Sequence, residues 1–173
     1  LKLHGIPEVV RSGTCAFQDL SSAVECVITI IQLGIPVARI ELMDEKQVEA
    51  CNAFSNMTKP VLPTLFFEFH GTDAETEDHI ERVKWVMEDQ GGSEFDWAIK
   101  NEDQSRLWAA RHNALPAAKN LRPGAEVLIS DVAVPISRLA DCITATRQDI
   151  DENNLLAPIV GHVGDGNFHV FFV

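Results

Sequence analysis

The sequence predicts an α+β domain built on a mostly antiparallel sheet. Strand-like apolar runs alternate with helix-period stripes in three passages, roughly 13–43, 62–98 and 126–163. Near the C-terminal end Asp165-Gly166 lies between apolar-rich runs, a strong short hairpin signal, so the last strand pair is expected to be antiparallel. No G-x-G-x-x-G loop links a strand to a helix, which argues against a doubly wound parallel sheet. Together these favour split β-α-β units of ferredoxin-like type, with the helices packed on one face.

Each element has its own local reason. "GTCAFQD" (13–19) reads as a strand that hands over to a helix at Asp19, a good N-cap. Leu20, Val24, Val27, Ile28 and Ile31 then form one apolar stripe, and Gly34 with Pro36 ends it. "VARIELMD" (37–44) returns as a strand; Asp44 opens a second helix, with Gln47 placed as in a capping box. "VLPTLFFEFHG" (61–71) is the plainest strand, and Thr72 with Glu75 is a second capping-box pair for a helix running to about Asp89. "EFDWAIK" (94–100) is a short strand, a helix covers roughly 102–114, and "AEVLISDVAVP" (125–135) is a strand stopped by proline. Ile136, Leu139, Ile143 and Ile150 mark the last amphipathic helix before the closing hairpin.

The 173 residues suffice for one domain with a real core, and no internal linker divides them. A formal charge of −12 disfavours nucleic acid and anionic membrane as partners, because both are held through clustered Lys and Arg. No apolar run approaches a membrane span. Cys15, Cys26, Cys51 and Cys142 show no ligand-like spacing and read as reduced core residues. The chain opens without Met or a signal pattern and closes inside a strand-like run, so it is expected to be a piece, truncated at both ends, of a longer polypeptide.

The chemistry concentrates in two stretches. In "VGHVGDGNFHV" (160–170), a two-residue Asp165-Gly166 turn would set His162 directly opposite His169. Opposed residues share a sheet face with Cβ atoms about 5 Å apart, close enough for two imidazoles to share one divalent metal at Zn–N distances of about 2.0–2.1 Å. A third ligand is not evident locally, and half-buried structural histidines are an equal reading. In "RLWAARHNALPAA" (106–118), Leu107, Trp108, Ala114 and Leu115 share one helix face with Arg111 in its middle. An arginine there needs an anion, either a structural carboxylate or a substrate carboxylate held bidentately. His112 points away and reads as surface. Arg39 is expected to pair with Glu41 along its strand; His4, His70 and His79 read as structural or surface, and Trp85, Trp97 and Trp108 as core. No Ser-His-Asp or Cys-His arrangement and no P-loop is present.

Taken together, "GHVGDGNFH" (161–169), "SDVAVPISRL" (130–139), "LWAARHNAL" (107–115), "PVARIELMDE" (36–45) and "PTLFFEFHG" (63–71) resemble the C-terminal domain of FAD-linked 2-hydroxyacid oxidoreductases. That family includes cytochrome-type D-lactate dehydrogenase and the glycolate oxidase D subunit. The resemblance implies that residues 1–173 form a substrate-binding cap domain, with a flavin-binding domain expected upstream. It assigns His162 and His169 as ligands of a divalent metal, Zn or Mn, and Arg111 as the clamp on the substrate carboxylate. Asn167 is expected to support the turn or touch the flavin edge. The third ligand, a glutamate, and the general-base histidine are expected from a downstream Glu-His segment, so no catalytic residue is assigned within the chain.

Where dicarboxylate-specific relatives carry lysine and asparagine, this sequence has Ile129 and Phe171. Both are apolar, which favours a small monocarboxylate such as D-lactate, since a second carboxylate would be buried without a partner. The implied function is a flavin-dependent D-2-hydroxyacid dehydrogenase oxidising D-lactate to pyruvate, with hydride transfer to FAD and metal-assisted deprotonation. The implied electron acceptor is of the cytochrome c kind, and the implied location is mitochondrial in a eukaryote, otherwise cytoplasmic or membrane-associated. The alternatives are a metal- or carboxylate-binding module without redox chemistry, or a flavoenzyme for another small 2-hydroxy acid such as glycolate. The fragment alone is expected to be inactive.

Overall fold

The computed structural model describes residues 5–98 and 100–173. The elements are β1 (Val9–Ala16), α1 (Leu20–Gln32), β2 (Arg39–Met43), α2 (Glu45–Ser55), β3 (Thr64–Gly71), α3 (Asp73–Asp89), β4 (Ser93–Ala98), α4 (Asn101–His112), α5 (Ala114–Asn120), β5 (Leu128–Ile129), β6 (Val132–Ala133), α6 (Leu139–Glu152), β7 (Ile159–His162) and β8 (Asn167–Phe172). They form one sheet in the order β4-β1-β3-β2-β7-β8-β5, with β6 also on β8. Every recorded pairing is antiparallel.

All three expected passages are split units. β3 lies between β1 and β2, β1 lies between β3 and β4, and β8 lies between β6 and β7. The caps form largely as read. Asp19 accepts from the Ser22 amide, and Thr72 and Glu75 make a reciprocal capping box. The Asp44 box is only half built: Asp44 accepts from the Gln47 amide at 2.7 Å, but the Gln47 side chain turns to the Ala114 carbonyl at 2.9 Å. Gln47 is buried, so its amide serves the α2–α5 contact rather than the helix end.

The expectation of helices on one face is not met. α1, α3 and α6 pack on one side, where Ile40, Leu42, Leu65, Phe67 and Phe69 point. α2, α4 and α5 pack on the other, against Met43, Phe66, Val160 and Phe171. The signal was in β3: its near-continuous apolar run belongs to a strand buried on both faces, which requires two covering layers. Trp85 is likewise not core but 64% exposed, because the inward stripe of α3 is Val83, Val86 and Met87. The expected helix over 102–114 breaks at Asn113 and restarts as α5, whose first turn accommodates Pro116. His4 and Ile99 lie outside the described residues.

Candidate active site on the α4-covered face

His162 and His169 lie on the same sheet face, but not opposite each other. The register pairs His162 with Asn167 and Val160 with His169. The connection is wider than a two-residue turn: residues 163–165 make a short 3₁₀ turn, and Gly166 closes it at φ +73°. Val163 is fully buried, and driving that side chain into the core takes it out of the strand ladder. The histidines become diagonal neighbours. Their ring centroids still stand 5.6 Å apart, with planes 86° to one another.

Each ring is held through Nδ1. His162 Nδ1 is 2.7 Å from Glu41 Oε1, and His169 Nδ1 is 3.2 Å from the Ser130 carbonyl oxygen. A carboxylate and a carbonyl only accept, so both contacts assign the hydrogen to Nδ1, and in the neutral ring that tautomer leaves the lone pair on Nε2. The Ser130 anchor explains why the expected strand 125–135 is broken into β5 and β6. Val170 N–H donates to the Ser130 hydroxyl at 3.0 Å instead of to its carbonyl. That substitution interrupts the ladder and leaves the carbonyl for His169. Asn167 Nδ2 donates to Asp131 at 2.8 Å and to the Val132 carbonyl at 3.0 Å, tying the turn to the same segment.

Arg111 finds its anion within the chain. Its Nη2 and Nε lie 2.9 and 3.1 Å from Glu41 Oε2, with the Glu41 side chain only 4% exposed. One buried carboxylate therefore holds Arg111 on one oxygen and His162 on the other. Glu41 joins the candidate site in place of the expected ion pair with Arg39. In β2 and β3, Arg39 faces Glu68 across the strands, and its guanidinium reaches Glu68 Oε2 at 2.6 Å. Directly opposed residues are nearer than residues two apart along one strand, so the cross-strand partner wins. Arg39 also stacks 3.6 Å over Trp108, whose indole N–H donates to Ser12. A cavity of about 470 Å³ opens beside His162, with Arg39, Glu41 and Glu68 in its wall. His112 is exposed, as expected.

Ile129 and Phe171 oppose each other on β5 and β8, and Phe171 belongs to the apolar cluster beneath α4 and α5. Elsewhere, burial pushes the Asp44 carboxyl up to about 7, against the lowering effect of the Gln47 and Ile159 amides and of Arg147. Asp44 joins three elements: it caps α2, accepts from Ile159 N–H at 2.8 Å and receives Arg147 from α6 at 3.3 Å. The four cysteines are free.

Residues 6–173 match the family described as FAD linked oxidases, C-terminal domain. The chain belongs to that family. Its curated relatives include "Probable D-lactate dehydrogenase, mitochondrial" of Danio rerio, 47% identical over 173 residues, all of this chain and 35% of the relative. "D-lactate dehydrogenase (cytochrome), mitochondrial" of Arabidopsis thaliana is 37% identical over 98% of the chain and 30% of the relative. This FAD-linked oxidase domain thus spans about a third of the length of the curated relatives it matches. Among solved structures, an alkyldihydroxyacetonephosphate synthase shares the fold at TM-score 0.68 and 14% identity, over 97% of this chain and 37% of that one. No helix among the described residues is long and apolar enough to cross a membrane.

Proposed function

We propose that this domain is the substrate-binding part of a flavin-dependent D-2-hydroxyacid dehydrogenase, with D-lactate as the preferred substrate. The observation that carries the reading is the shared sheet face on which two Nδ1-anchored histidines, His162 and His169, stand beside the Arg111–Glu41 pair. Family membership and the names of the curated relatives support the substrate class, the flavin and, in a eukaryote, a mitochondrial location. The reading takes residues 1–173 as a cap over FAD held mainly by an upstream domain, and an electron acceptor of the cytochrome kind.

The residues present fit two ligands of a divalent cation such as Zn²⁺ or Mn²⁺. A metal-bound histidine characteristically donates its second ring N–H to a carboxylate or backbone carbonyl, and the Nδ1 contacts of His162 with Glu41 and of His169 with the Ser130 carbonyl support that reading. Among the described residues no group of three His, Cys, Asp or Glu stands ready as a full set, so this reading needs a further ligand from elsewhere. When bound, the cation would supply Lewis acidity at the substrate's 2-hydroxyl, and the flavin would supply the hydride acceptor.

The chain's own residues bind and orient. Arg111 has five N–H donors and turns its Nε and one edge of Nη2 to Glu41, and the opposite Nη1/Nη2 edge takes the substrate carboxylate. Glu41 keeps that guanidinium and the His162 ring in fixed register. Asn167 holds the turn through its amide nitrogen and can present its side-chain oxygen toward the flavin edge. Ile129 and Phe171 offer nothing to a second carboxylate, which selects monocarboxylates. The proton acceptor is expected outside these residues.

Steady-state kinetics of the full-length protein test the reading. Arg111→Ala should raise KM and lower kcat for D-lactate together, and Arg111→Lys, which keeps the charge facing Glu41, should still lose much of the activity because it lacks the planar fork. Near-normal kinetics in both would return Arg111 to the role of structural partner for Glu41. Metal content unchanged in His162→Ala would remove the cation from the reading.

A further inference from the structure

We infer that Glu41 is a positioning residue that couples the carboxylate-binding Arg111 to the His162 imidazole by fixing the ring's tautomer. The inference deepens the function proposed above and rests on it.

The geometry leaves Glu41 little freedom. It sits on β2, its side chain is 4% exposed, and each carboxylate oxygen has its own duty: Oε2 receives Arg111 at 2.9 and 3.1 Å, and Oε1 faces His162 Nδ1 at 2.7 Å. Arg111, on α4, is itself 13% exposed on its side chain, so the pair is shielded from solvent on the arginine side. Arginine can only donate, so any side chain at position 41 that keeps this contact must turn an acceptor toward α4. A carboxylate has a second acceptor to offer His162. An amide does not.

That asymmetry makes Glu41→Gln a chemically sharp change. With its oxygen kept on Arg111, the glutamine NH₂ faces His162 Nδ1, which must then become the acceptor. The ring hydrogen moves to Nε2, and an Nε2–H can neither ligate a cation nor receive a proton. The shape of the site is preserved while one lone pair is moved to the wrong nitrogen. Arg111 keeps its partner, so carboxylate binding is largely spared. The variant therefore separates the two arms of the site that Glu41 joins.

The test uses the full-length flavin-loaded protein, stripped of metal and titrated with Mn²⁺, with free ion read by electron paramagnetic resonance. Glu41→Gln should bind Mn²⁺ about 10- to 100-fold more weakly than wild type, the range seen when such an outer partner is lost. Its flavin content should stay close to wild type although loss of the buried charge opposite Arg111 lowers its melting temperature, and with D-lactate its kcat should fall while KM changes little. Wild-type Mn²⁺ affinity in Glu41→Gln, with affinity lost in His162→Ala, would overturn the positioning role and leave the proposed function standing. Affinity unchanged in both variants would instead overturn the metal reading, and the inference with it. A second measurement does not depend on Glu41→Gln folding: ¹⁵N-histidine spectra of metal-free wild type, with His162 assigned by its absence in His162→Ala. In the neutral ring, observed on the high-pH side of its titration, hydrogen on Nδ1 is expected, and hydrogen on Nε2 instead overturns the proposal.

Discussion

Gly166 and Gly34 allow the turn that carries the histidines to be tested against an internal control. Both adopt left-handed backbone, at φ +73° and +63°. They differ in what a Cβ would meet: nothing within 4 Å at Gly34, but the Val134 carbonyl oxygen, in a contact no real Cβ makes, at Gly166. Gly34→Ala should therefore cost only the left-handed penalty, about 1 kcal/mol. Gly166→Ala adds the displacement of Val134, whose own N–H donates to the Gly166 carbonyl at 2.9 Å. Overpacking of that kind costs about 1–3 kcal/mol, so the total loss should be about 2–4 kcal/mol. Chemical denaturation of the two variants beside wild type gives both values. Equal losses at the two positions would refute the claim that close approach of the turn to residues 132–134, rather than φ alone, demands glycine in this motif.

Three other outcomes are expected. Asp44 has its carboxyl raised from 3.8 to about 7, so the folded state holds the proton more tightly than the unfolded chain. The stabilisation is complete below about pH 4 and is lost as pH rises to about 7, up to about 4 kcal/mol; subtracting the stability profile of Asp44→Ser should reveal this slope, and a pH-independent difference would exclude it. Native alkylation should reach Cys142 alone, since burial pushes the Cys15 thiol up to about 12 and raises Cys26 and Cys51 as well; modification of Cys15 in folded protein would contradict its placement. Ile129→Lys combined with Phe171→Asn should shift the kcat/KM ratio toward 2-hydroxyglutarate by roughly tenfold or more over D-lactate, whereas an unchanged ratio would remove these positions from specificity.

What could be read in the sequence was whatever local chemistry decides. Asp19, Thr72 and Glu75 announced helix starts because a cap is a contact over three residues. The three split units followed from alternation plus an antiparallel close. What escaped was set by groups distant in sequence. The hairpin register turned on whether Val163 would be buried, which is a property of the core and not of the Asp165-Gly166 pair. Glu41 was visible as a charge in an apolar strand, but its partners come from α4 and β7, 70 and 121 residues away. The Ser130 hydroxyl that frees a carbonyl for His169 left no periodic trace at all.

The most direct test is anaerobic addition of D-lactate to the full-length protein, followed through the flavin's visible absorbance. Prompt bleaching is expected in wild type, with Arg111→Ala needing far more D-lactate and His162→Ala bleaching much more slowly. A flavin-loaded wild-type protein that stays oxidised in D-lactate, or variants that bleach as wild type does, would contradict it.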